Sequence, residues 1–145
     1  VDDQVIGIDL SSRKVAVVVL KDNGHSYAET LTAMARREAR DSELMVLSSK
    51  LKEFFSQLMP RYVYVESPVV GRGGARPTIL QAQVDGLVQA RAIEAGHHRV
   101  YSVNNKTWKK EVVGNGNASK EDTAAWLAAT HPILADLCGD DQDLV

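Results

Sequence analysis

Apolar residues fall into runs whose period changes along the chain, and each change marks an element. Val5-Ile6-Gly7-Ile8-Asp9-Leu10 is a short apolar run of buried-strand type. Ser11-Ser12-Arg13-Lys14 reads as a turn, Val15 to Leu20 as a second, β-branched strand, and Asp22-Asn23-Gly24 as the next turn. Tyr27 to Met34 is read as a third strand. Connections this short pair the three as an antiparallel meander. From Ser42 to Met59 the period lengthens: Leu44, Leu47, Leu51, Phe54, Phe55 and Leu58 recur at helical spacing, and Pro60 follows. Tyr62 to Val65 is a fourth strand that ends in Glu66. Beyond a Gly/Arg-rich loop, Pro77 opens a predicted helix with Leu80, Val84, Leu87 and Val88 on one face, ending near Gly96. Arg99 to Val103 gives a fifth strand. Two shorter helices follow, over Lys106–Val113, stopped by Gly114, and over Lys120–Ala129, where Ser119 and Asp122 are spaced as a capping box.

The predicted order is βββ-α-β-α-β-α-α, without repeats or a dividing linker, so residues 1–145 are expected to form one domain. Strands separated by helices require parallel pairing, whereas the first three require hairpins. The fold class is therefore α/β, a five-stranded mixed sheet flanked by helices. The 145 residues suffice for one hydrophobic core, and a composition 44% hydrophobic and 25% charged is that of a globular protein. No apolar run approaches the roughly 18 residues of a membrane span, and a single cysteine, Cys138, excludes an intramolecular disulfide framework. A reducing, cytoplasmic setting fits.

Charge changes the picture through its distribution. The formal net charge of −2 excludes binding by sheer positive excess. Yet Arg99, Lys106, Lys109, Lys110 and Lys120 face only one acid, Glu111, over their stretch, while Asp136, Asp140, Asp141 and Asp143 crowd the C-terminal end. Acids that hold cations beside lysines that meet phosphate would produce such segregation, and so would an ordinary solvated surface.

Asp9 interrupts a run that otherwise looks buried, where an unpaired carboxylate would cost several kcal/mol or be forced neutral. Capping of the following turn, or pairing with Arg13, are its structural explanations. Glu66 repeats the pattern at the end of another strand. If the first and fourth strands are parallel neighbours, both acids emerge at the same sheet edge, where ligand sites gather in α/β sheets. Two facing carboxylates repel unless a cation lies between them, and a hard divalent ion with oxygen ligands resolves the repulsion. A third acid is expected from Asp140, Asp141 or Asp143. Asp140 and Asp143 have the spacing of one helical face, and an acidic helix N-terminus is the competing explanation. Asp143-Leu144-Val145 reads as a helix just beginning, as if the sequence were a fragment of a slightly longer protein.

With these acids in place the chain resembles the RuvC family of Holliday junction resolvases, within the RNase H-like superfamily, along nearly all its length. Ile6-Gly7-Ile8-Asp9-Leu10-Ser11 is similar to the family's first strand with its metal-binding aspartate, and Tyr62-Val63-Tyr64-Val65-Glu66 to the strand ending in the second acid. More specific is the stretch from Lys109 to Lys120, which resembles the family's lysine, Val-Val-Gly-x-Gly turn and second lysine in order and spacing. The resemblance implies metal binding by Asp9 and Glu66, completed by Asp140 or Asp143. Asp143 is favoured as the first of the family's Asp-x-x-Asp pair, its partner lying beyond Val145. It implies that Lys109 and Lys120 serve the scissile phosphate and the DNA backbone. Some family members carry a base-stacking aromatic three residues after the strand glutamate; this chain has Val69 there.

The function so implied is Mg²⁺-dependent cleavage of four-way DNA junctions by paired symmetric nicks, in DNA recombination and repair, by a homodimer of bacterial or phage origin. Two Mg²⁺ per site are expected, with Mn²⁺ as a substitute. Arg72 and Arg76 of the glycine-rich loop, with Lys109, Lys110 and Lys120, are candidate DNA-backbone contacts. Nothing resembles a nucleophile–base pair: Cys138, His25, His97, His98 and His131 lack motif spacing. Rival readings are another RNase H-like nuclease (flap, branched DNA, exonuclease or RNA–DNA hybrid) and a catalytically silent junction-binding module. An actin-like or sugar-kinase ATPase lobe would also begin with Gly-x-Asp, but should carry a second glycine-rich phosphate motif.

Overall fold

A computed structural model describes residues 4–21, 26–33, 39–58, 60–67, 74–97 and 100–139. Five strands form one sheet: β1 (Gln4–Leu10), β2 (Lys14–Lys21), β3 (Tyr27–Thr32), β4 (Tyr62–Glu66) and β5 (Val100–Val103), in the spatial order β3-β2-β1-β4-β5. β1–β2 and β2–β3 are antiparallel, and β1–β4 and β4–β5 parallel. The mixed sheet expected from the chain's two halves is thus present, with β1 at its centre. Side chains alternate across it. Ile6, Ile8, Val15, Val17, Val19, Leu31, Val63 and Val65 line one face and are buried. Against that face pack α1 (Arg40–Ser56), through Leu47, Leu51, Phe54 and Phe55, and α2 (Ala75–Glu94), through Val84, Val88 and Ala92. Burying a side chain of this size contributes about 1.5–3 kcal/mol, and this layer is the main core.

The opposite face carries Gly7 and Asp9 of β1, Ala16, Val18 and Leu20 of β2, Tyr64 and Glu66 of β4, and Val103 of β5. It looks onto α3 (Asn105–Val112), α4 (Lys120–Thr130) and α5 (Pro132–Cys138). Among the described residues no helix is long and apolar enough to cross a membrane.

Element bounds differ from the sequence expectation in instructive ways. α1 begins at Arg40 and ends at Ser56, not Ser42 and Met59, because Leu58 is buried from a post-helical turn closed by Gln57 and Leu58 amides. α2 begins at Ala75 rather than Pro77, since a proline in the first turn forfeits only an amide with no intrahelical partner. β3 ends at Thr32; Met34, like Asp22-Asn23-Gly24 and Arg99, lies outside the described residues. Three helices, not two, follow β5. The additional one, α5, starts with Pro132 at its first position.

Candidate active site

The parallel register Val5↔Tyr62 to Ile8↔Val65 sets Asp9 beside Glu66 at the same edge of the sheet. The turn behind Asp9 is capped by Ser11, whose backbone N–H donates to the Lys14 carbonyl at 3.0 Å and whose hydroxyl accepts from the Lys14 N–H at 3.2 Å. Arg13, in the same turn, donates through Nε to the buried Glu43 of α1.

Glu66 is half-buried, and both its oxygens are held. Asn105 Nδ2 donates to Oε1 at 2.9 Å, and the Trp108 indole N–H to Oε2 at 2.8 Å. These donors were not singled out in the sequence. Their signal was the spacing: Asn105, Trp108 and Lys109 lie at i, i+3 and i+4 on one face of α3. Local structure aims that face at the acid. The Ser67 amide donates to the Val103 carbonyl at 2.8 Å, extending the β4–β5 ladder past Glu66. Asn104 then caps α3 by accepting from the Lys106 and Thr107 amides. Lys109 Nζ lies 5.8 Å from the Trp108 ring centroid, a cation–π contact.

The turn between α3 and α4 brings the second lysine in. Gly114 has φ +91°, a conformation that glycine adopts without penalty. Gly116 lies so close to α3 that a Cβ there would meet the Lys106 carbonyl oxygen at 3.1 Å. The chain then enters α4 through the expected capping box: Asp122 N–H donates to Ser119 Oγ at 3.0 Å, and Ser119 N–H to Asp122 Oδ2 at 3.1 Å. Lys120 is thereby fixed in the first turn of α4.

Two clefts of about 560 Å³ each meet at this point, and both are lined by Asp9, Glu66, Asn105, Lys109 and Lys120. One runs beneath α3–α5 over the apolar face of the sheet; the other opens past Ser67, Gln81 and the 117–119 turn. Two carboxylates and two ammonium groups from four separate segments are thus gathered at one junction. Lys110 and Arg76 are exposed and line neither cleft. Asp140, Asp141, Asp143, Arg72 and Val69 lie outside the described residues. Among the described residues no group of three or more His, Cys, Asp and Glu side chains could hold a metal ion. The Asp9–Glu66 pair nonetheless has the hard oxygen chemistry that suits a divalent cation of the Mg²⁺ class. Glu66 takes its bonds from neutral donors, which leave its charge in place.

The fold has counterparts among solved structures. Thermus thermophilus RuvC in complex with Holliday junction substrate is 21% identical, covering 97% of this chain and 92% of that one with a TM-score of 0.73. Thermus thermophilus RuvC alone is 22% identical, covering 87% of this chain and 77% of that one with a TM-score of 0.65. At such identities the likeness shows the fold, a RuvC-type α/β sheet. No curated protein sequence matches the chain. The family model for crossover junction endodeoxyribonuclease RuvC matches residues 5–135, a span holding Asp9, Glu66, Lys109 and Lys120, and the chain belongs to that family.

Proposed function

We propose that the chain resolves four-way DNA junctions as a homodimer, each active site making one of two symmetric nicks with the help of two Mg²⁺ ions. Crossover junction endodeoxyribonuclease activity is that of the family, and its members are metal-dependent. The number and identity of the ions, the residue roles and the dimer are our reading. One observation carries it: Asp9, Glu66, Lys109 and Lys120 line the same cleft junction. The cleft also admits the charge pattern of a DNA backbone, with lysines at its rim in a chain of net charge −2.

Asp9 and Glu66 hold the cations, with Asp140 or Asp143 supplying the third carboxylate. A divalent cation held there would supply Lewis-acid charge and make a water a better nucleophile. Lys109, steadied on the Trp108 ring, places an ammonium against the charge that builds on a non-bridging phosphate oxygen. Lys120, at the start of α4, binds the adjoining backbone phosphate. Lys110, Arg72 and Arg76 contribute contacts farther along the DNA. No covalent enzyme intermediate is required, because water is the nucleophile. The protein acts in the cytoplasm of a bacterial cell, chromosomal or phage-encoded, where a lone Cys138 stays reduced.

The test is cleavage of a labelled four-way junction beside a linear duplex, a flap and an RNA–DNA hybrid, with and without Mg²⁺. Paired nicks at symmetric positions on the junction alone are expected, with none after EDTA. Asp9→Asn should abolish cutting while junction affinity changes less than about threefold, since binding rests on phosphate contacts. Retained cutting by that variant would remove Asp9 from the metal site. Equal cutting of all four substrates would leave a metal nuclease without junction selectivity.

A further inference from the structure

We propose that Trp108 is a positioning residue that fixes the spacing between Glu66 and Lys109, while Asn105 locks the second oxygen of the same carboxylate. The inference rests on the reading of Glu66 as a metal ligand. An ionised carboxylate offers about four lone-pair sites on its two oxygens. Here each oxygen accepts one bond, at 2.9 Å from Asn105 and 2.8 Å from Trp108, so each keeps acceptor capacity for a cation. Rotation of the carboxylate would break both bonds at once. Both donors are neutral. An arginine in their place would orient the group equally well but would cancel its charge and repel a divalent ion.

Trp108 does more than Asn105, because its ring has a second neighbour. The indole edge donates to Glu66 while the ring lies 5.8 Å from Lys109 Nζ. One rigid bicyclic side chain therefore separates an anionic group that holds metal from a cationic group that meets phosphate. Without it, the two opposite charges on adjoining elements would be drawn into a direct ion pair, and each would be lost to its task. The capped first turn of α3 holds this arrangement, with Asn105 and Trp108 one helical turn apart.

The experiment is Mn²⁺ binding by titration calorimetry, paired with junction cleavage as a function of Mn²⁺ concentration. It uses the whole chain with the wild-type sequence and the variants Glu66→Gln, Asn105→Ala, Trp108→Phe and Trp108→Leu. Far-UV circular dichroism and urea unfolding check that each is folded. Trp108→Phe and Asn105→Ala should each weaken Mn²⁺ binding about tenfold. Their cleavage should recover at high Mn²⁺, because only the hold on Glu66 is loosened. Trp108→Leu, which also removes the ring beneath Lys109, should stay slow at saturating Mn²⁺. Glu66→Gln should lose binding outright. Wild-type affinity in both Trp108→Phe and Asn105→Ala, with binding lost in Glu66→Gln, would overturn the positioning role while leaving the metal site intact. Wild-type affinity in Glu66→Gln would overturn the metal-ligand reading itself, and the inference with it.

Discussion

Glu43 shows how a residue remote from the cleft sets its geometry. Its side chain is 8% exposed, and it meets Arg13 from the turn behind Asp9 and Arg40 from its own helix, the latter at 3.7 Å. Arg40 in turn donates to the Ser12 carbonyl at 2.6 Å, the Leu80 carbonyl at 2.9 Å and Gln83 Oε1 at 2.9 Å. One acid thus ties α1, the end of β1 and the first turns of α2 together, and Gln81 of α2 lines the cleft. Replacing Glu43 by leucine leaves two guanidinium groups without their shared counter-charge. The expected cost is about 2–3 kcal/mol, below the ~3–5 kcal/mol of a fully buried pair, because Arg13 and Arg40 keep 29% and 23% of their side chains exposed. Urea unfolding should show a lower midpoint at an unchanged slope; an unmoved midpoint would mean that the cluster contributes nothing. The sequence carried a sign of this cluster: Glu43 sits four residues before Leu47 and eight before Leu51, on the apolar stripe of α1.

Among the elements, the α3–turn–α4 unit most directly sets the lysine spacing. Gly116→Ala would press a methyl group against the Lys106 carbonyl oxygen, which is backbone and yields little. A loss of about 1–3 kcal/mol is expected from such overpacking, together with slower junction cleavage, because Lys120 shifts relative to Lys109. Thermal unfolding and a single-turnover assay check both, and an unchanged cleavage rate would separate the turn from the lysine geometry. Much of this scale was legible in the chain. Apolar, β-branched runs mark β1, β2 and β4 in the chain, and the parallel β1–β4 pairing on which a shared edge for Asp9 and Glu66 depends is present. The capping box at Ser119 and Asp122 was equally local, hence equally readable. α5 was not: it is seven residues long, its Ile133 is 83% exposed, and only Cys138 is buried, so no apolar period announces it. Asn105 and Trp108 carry no such local signal, because their partner, Glu66, is 39 and 42 residues away.

For the molecule as a whole, the proposed paired nicking calls for two active sites related by the symmetry of the junction, which a two-fold dimer would supply. The apolar stripe of α2 read from sequence belongs to the domain's own core, since Val84 and Val88 are fully buried and Leu87 packs against that cluster. The opposite side of α2 presents Ile79 at 58% and Ile93 at 53% exposure, with Ala82, Gly86 and Ala90 exposed between them. A Cβ at Gly86 would meet nothing within the described chain, so nothing there requires a residue that costs a helix about 1 kcal/mol relative to alanine. Close approach of a second α2 would account for it. If that face is the dimer contact, Gly86→Glu with Ala90→Glu should yield monomers by sedimentation, because like charges would meet across the two-fold axis. Each monomer would retain Mn²⁺ binding at Asp9 and Glu66 but nick the two strands independently, so intact resolved duplexes would fall well below singly nicked junctions. A variant that remains dimeric would clear this face of α2 of the role. A monomer that still makes coordinated nicks would break the link between symmetry and resolution.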